Sequence, residues 1–107
     1  MHLKEWKVRY LEMAKVDIKK LGEPRASHVR KAIRKVSRSP LPFTEGGYGK
    51  PLGNKRNNNL TGLLKVKLRN DGIRIVYSLE RIGKTMTIVI VGVRDDEAVY
   101  REAAKRL

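Results

Sequence analysis

The stretch Leu64–Leu79, LKVKLRNDGIRIVYSL, decides the fold. Apolar and basic residues alternate strictly from Leu64 to Arg69, Asn70-Asp71-Gly72 forms a turn, and Ile73 to Leu79 alternates again, which is the pattern of a β-hairpin with one buried face. With Asp71 and Gly72 at the centre of the turn, the expected register sets Arg69 opposite Arg74, Leu68 opposite Ile75, Lys67 opposite Val76 and Val66 opposite Tyr77. Opposed residues share a face. Leu68, Ile75, Val66 and Tyr77 therefore form the core side, and Lys65, Lys67, Arg69 and Arg74 lie together on the other. Cations gathered on one sheet face repel one another, so folding alone gives no reason to keep them there. Edge protection by lysine explains single charges but not opposed arginines.

Outward from the hairpin, Arg81 to Lys84 makes a second turn into Thr85–Val93, an apolar, β-branched run suited to a central strand. Asp95, Asp96 and Glu97 open a last helix to Leu107, with acids in its first turn and Lys105 and Arg106 in its last, as the helix dipole favours. Val99 and Ala103 face the core, which turns Tyr100 about 100° away, toward the helix flank. Upstream, Trp6 to Tyr10 alternates as a strand. Leu11, Ala14, Ile18 and Leu21 then define a helical face that Gly22 ends, and Pro24 opens a second helix with Ala26, Val29, Ile33 and Val36 inside. Arg30, Lys31, Arg34, Lys35 and Arg38 take its outside. Residues 39 to 63, rich in Pro, Gly and Asn, are expected as loop with a short strand near Lys50 to Leu52, and Lys55 and Arg56 at the tip could grip a phosphate. The expected fold is α+β: N-terminal strand, helical hairpin, three-stranded antiparallel meander and C-terminal helix, with helices on one sheet face and the other at least partly open.

Composition bounds the function. The 107 residues make one domain, 1–107, with no cysteine for a disulfide, thiolate metal site or nucleophile. The N-terminus lacks the apolar core of a signal peptide, and the run Met86–Val93 is too short to span a membrane, so a cytoplasmic protein is expected. Net charge is +14, and it is uneven: residues 1–69 hold 18 basic and 5 acidic side chains, residues 70–107 hold 7 and 6. Such a field concentrates polyanions, leaving nucleic acid, an anionic membrane or an acidic protein as candidate partners. Neither His2 nor His28 has carboxylates or a second histidine at ligand spacing in sequence, so no metal is expected.

The stretch from Leu64 to Leu107 resembles the RelE group of the RelE/ParE toxin superfamily, and the two preceding helices fit the same layout. The likeness is most specific in the K-x-K of Lys65 and Lys67, the G-x-R of Gly72 to Arg74, the G-x-R of Gly92 to Arg94 and VYREAAKR from Val99 to Arg106. The loop from Gly53 to Gly62 is longer than in compact members. The family arginine after the short strand has no counterpart where Leu52 and Gly53 stand, and Arg56 is a displaced candidate. The resemblance implies a toxin of a type II toxin–antitoxin system that enters the ribosomal A site and cuts mRNA without metal or cofactor. It implies an acidic antitoxin, rRNA and mRNA as partners, with no membrane. Tyr100 would be the base, Arg94 an acid or phosphate stabiliser, and Lys65, Lys67 and Arg74 would hold charge. The basic hairpin face, second helix and loop tip, and not the resemblance, make Arg69, Arg34, Lys35, Lys55 and Arg56 the expected RNA-binding residues. A cationic face would favour the phenolate of a tyrosine, whose reference pKa lies near 10. A gyrase poison on the same fold and a non-catalytic RNA- or ribosome-binding module are the rivals.

Overall fold

The computed structural model describes residues 5–55, 57–93 and 95–107. The order is β1 (Lys7–Tyr10), α1 (Glu12–Leu21), α2 (Arg25–Val36), a short 3-10 turn (Phe43–Glu45), β2 (Lys50–Lys55), β3 (Asn58–Leu68), β4 (Ile73–Glu80), β5 (Thr85–Val93) and α3 (Asp96–Lys105). The fold is α+β, and the strands form one sheet in the order β1-β5-β4-β3-β2. β1 runs parallel to β5 and every other pairing is antiparallel, so the meander has four strands.

The short strand expected near Lys50 to Leu52 is present but runs on to Lys55, and β3 already begins at Asn58, which corrects the expectation of loop over the later part of residues 39 to 63. Asn57, with φ at 69°, turns the chain, Lys55 pairs with Asn58, and Leu52, Leu60 and Leu63 are buried. Asparagine and glycine depress strand propensity, but three buried leucines outweigh it because the sheet gains a continuous apolar face. Pro24 stands just before α2, as its N-cap, and the apolar faces of both helices are buried as the spacing requires.

Hairpin register is the second correction. Leu68 pairs with Ile73, Lys67 with Arg74, Val66 with Ile75 and Leu64 with Tyr77. The connection is four residues, Arg69 to Gly72, with Asp71 N–H donating to Leu68 C=O and Gly72 at φ 65°. Lengthening the turn from two residues to four shifts each partner by two, so every side chain keeps its face. The opposed cations are Lys67 and Arg74, and Arg69 belongs to the turn.

Two cores flank the sheet. α1 and α2 cover Leu64, Ile73, Ile75, Tyr77, Met86 and Ile88. The opposite face, expected to be at least partly open, is covered in part by α3, which packs on Leu60, Leu63, Val76, Val89 and Ile90, while Lys67 on the same face stays exposed. Opposite Val76 and Tyr77 the register of β5 slips, which lets both Val89 and Ile90 face α3. Gly92 makes the approach of α3 possible: a Cβ there would lie 2.3 Å from Val99 Cγ2.

Candidate functional site: the cationic face beneath the C-terminal helix

β3 and β4 carry Lys65, Lys67 and Arg74 on the face that α3 covers, and β2 adds Lys50, directly opposite Lys65. Sequence reasoning missed Lys50. A β2–β3 pairing starting at Lys50 and Lys65 would have revealed it, but the strand signal there is weak.

Tyr100 descends from α3 onto this cluster. Lys65 Nζ donates to Tyr100 Oη at 2.7 Å and lies 5.4 Å from the ring centroid. Both are buried, Lys65 at 7% and Tyr100 at 4% exposure, so Tyr100 does not sit on the helix flank. With α3 packed directly over the sheet rather than beside it, a residue 100° from Val99 still points inward. Burial holds the Lys65 ammonium below its ordinary range; Asp96 opposes that shift, and Lys50 and Arg74 reinforce it.

The acidic triplet divides its labour. Asp95 caps α3, its carboxylate accepting from Ala98 N–H at 3.0 Å. Asp96 turns to the sheet and accepts from Arg74 Nε at 2.6 Å, while Arg74 Nη1 donates to Gly72 C=O at 2.9 Å. Desolvation raises the Asp96 carboxyl, but the hydrogen bond and charge of Arg74, with Lys65 and Lys67, bring it below the ordinary carboxylate value. Dipole capping is thus only part of what this triplet does.

Apart from Lys67, which pairs with Arg74, the remaining sequence candidates are dispersed. Lys67 and Arg69 are exposed on β3 and its turn, and Arg34 and Lys35 are exposed at the end of α2. Lys35 Nζ lies 5.4 Å from the ring centroid of Tyr48. Lys55 ends β2 beside the hairpin turn. Arg94 and Arg56 lie outside the described residues, as does His2. His28 Nδ1 is 3.0 Å from Asp71 Oδ2, a partner distant in sequence, so it joins α2 to the β3–β4 turn. Among the described residues no three His, Asp or Glu gather to hold a metal.

The same arrangement of sheet and helices occurs in solved toxins. The toxin RelE of E. coli, solved free as a double arginine-to-alanine mutant, superposes at a TM-score of 0.75 with 25% identity over 97% of this chain and 99% of that one. The isolated E. coli RelE toxin gives 0.67 with 26% identity, over 94% of this chain and 97% of that one. The chain is RelE-like. The RelBE2 toxin–antitoxin complex of Mycobacterium tuberculosis extends the likeness, at 0.69 with 25% identity over 88% of this chain and 98% of that one. No family model and no curated protein matches the RelE-like chain in sequence. Its likeness to these toxins is carried by the fold.

Proposed function

We propose that the chain is the toxin of a type II toxin–antitoxin system and a ribosome-dependent mRNA endonuclease. The observation that carries this reading is the Lys65–Tyr100 hydrogen bond, set beside Lys67 and Arg74 on one sheet face. Self-cleavage of RNA needs a base for the 2′-OH, cations for a phosphate gaining charge and an acid for the departing 5′-oxygen. Tyr100 as phenolate takes the 2′ proton, and the ammonium of Lys65 favours that phenolate. The 2′-oxygen bonds to phosphorus as the bond to the 5′-oxygen breaks, leaving a 2′,3′-cyclic phosphate and a 5′-hydroxyl. Lys67 and Arg74 face the non-bridging oxygens, and Arg94 is the family-implied donor to the leaving oxygen. No metal or cofactor takes part.

An acidic antitoxin segment with an apolar stripe complements the +14 charge. Such partners, with ribosome and mRNA, put the reaction in the cytoplasm; among the described residues no helix is long and apolar enough to cross a membrane. The burial of Tyr100 favours a second reading, in which it only packs and the protein binds ribosomes without cutting. Mapping the 5′ ends of cellular mRNA after induction separates them. Codon-phased 5′-hydroxyl ends on translated messages support the nuclease; arrested translation with intact messages supports the binder, and intact translation with lost supercoiling would indicate a gyrase poison.

A further inference from the structure

Beyond Lys65, β3 loses its outer neighbour. β2 begins at Lys50, and the preceding residues turn away, with Tyr48 N–H donating to Ser39 C=O and Gly49 N–H to Leu41 C=O. The uncovered edge forms the floor of a groove of about 410 Å³ between β3 and the end of α2. Its floor is Val66, Leu68 and Ala32, and its walls carry Lys35, Lys50, Lys67 and Arg69. One aromatic ring, Tyr48, borders it, 48% exposed with Lys35 against it. A second groove of about 480 Å³ shares Lys67, Leu68 and Arg69 and continues to Arg74. The two make one track from Tyr48 along β3 to the cationic cluster.

We propose that this track binds single-stranded RNA flanking the cleaved bond, one base lying against Tyr48 and the backbone passing Lys50, Lys67 and Arg69. The inference rests on the nuclease reading for its orientation toward Arg74, but the groove stands on its own chemistry. Ligand sites of small-molecule size occupy roughly 300–1,000 Å³, so the first groove takes a nucleotide and not a duplex. An apolar floor, a ring and four cations match the amphipathic character of an unpaired nucleotide, in which a flat base alternates with a phosphate. An acidic peptide would use the cations and leave the ring without a stacking partner. Lys35, already against Tyr48, is placed to meet the phosphate of whichever nucleotide stacks there.

The test uses the full chain and a short single-stranded oligonucleotide lacking 2′-hydroxyls and carrying one 4-thiouracil, with binding read by fluorescence anisotropy at low salt. Tyr48→Leu should weaken binding about tenfold and Tyr48→Phe less than threefold, because stacking needs the ring and not the hydroxyl. Lys50→Ala should weaken binding and flatten the salt slope by about 0.7, whereas Lys20→Ala on α1, far from the groove, should change the affinity little. Irradiation should crosslink the base to the peptide containing Tyr48. Equal affinity of Tyr48→Leu and wild type overturns the proposal, as does a polyglutamate peptide whose binding depends on Tyr48 as strongly. The probe cannot be cut, so binding that persists in a protein without nuclease activity leaves the groove standing and removes only the nuclease reading.

Discussion

Asp17 of α1 and Arg106, just beyond α3, meet in a two-pronged ion pair across the end of β5, with Nη1 to Oδ2 at 2.7 Å and Nη2 to Oδ1 at 3.2 Å. The pair also closes the sheet. Past Ile88, where β1 ends, Asp17 accepts from Val91 N–H and Arg106 donates to Val89 C=O, replacing the bonds a neighbouring strand would make. Arg106 is 8% exposed and Asp17 15%, and Glu102 takes Arg106 Nε, so the C-terminal end of α3 is fixed on the sheet. That fixation holds the helix bearing Tyr100.

Breaking this pair should therefore cost more than a surface salt bridge does. Asp17→Ala leaves a nearly buried guanidinium short of its main partner and Val91 N–H without its acceptor, and should lower stability by about 3 kcal/mol. Urea denaturation gives the change. Exposed Lys15→Ala, which loses the bridge to Glu12, should change the unfolding free energy by less than about 0.5 kcal/mol in the same assay.

Removing the carboxylate from the cationic face should have opposite effects on folding and on RNA. Asp96→Asn weakens the tie to Arg74 and should cost on the order of 1 kcal/mol of stability. It also frees Arg74 to meet a phosphate, so affinity for single-stranded RNA should rise and the salt slope steepen by about 0.7. Anisotropy titrations across a salt series read both quantities; an unchanged slope would mean that Arg74 does not reach RNA.

The same residue sets an acid limb. The folded Asp96 carboxyl lies below its ordinary value, so its contribution is present in full above the usual carboxylate pKa and is lost as pH falls through the lower, folded one. As pH falls below the ordinary carboxylate value of about 4, stability of the wild type should drop more steeply than that of Asp96→Asn. Denaturant midpoints measured along this range check the sign.

Close contact at Gly92 gives a test of how the helix is seated. Gly92→Ala places a methyl against Val99 and should cost about 1–3 kcal/mol by overpacking, and α3 should shift enough to lengthen the Lys65–Tyr100 bond. Adding Val99→Ala removes the atoms it strikes. The double variant should recover cleavage more fully than stability, since Val99→Ala itself opens a cavity.

Much of this was legible in the residues. Alternation from Leu64 to Leu79 assigned each side chain to its face, and the spacing of Leu11 to Leu21 and of Ala26 to Val36 located both helices with their buried sides. Register was not, because a two-residue and a four-residue turn satisfy the same alternation and only the backbone of Arg69 to Gly72 decides between them. The β2–β3 hairpin was obscured by residues that disfavour strands locally, its leucines being drawn in by α3. Burial of Tyr100 was likewise a tertiary fact: helical angles relate it to Val99, but the height and direction from which α3 meets the sheet depend on Gly92 and on the distant Asp17–Arg106 pair.

The account turns on Tyr100, and the single-turnover rate of cleavage at saturating ribosome-bound mRNA tests it most directly. Tyr100→Phe keeps the ring in its buried place but removes the acceptor for Lys65, so stability should fall by about 1–2 kcal/mol while the protein remains folded and ribosome-bound. Loss of the general base should lower the rate about a hundredfold or more. Cleavage by folded Tyr100→Phe at the wild-type rate would contradict the account, making Tyr100 a packing residue and moving the base to the lysines of the hairpin.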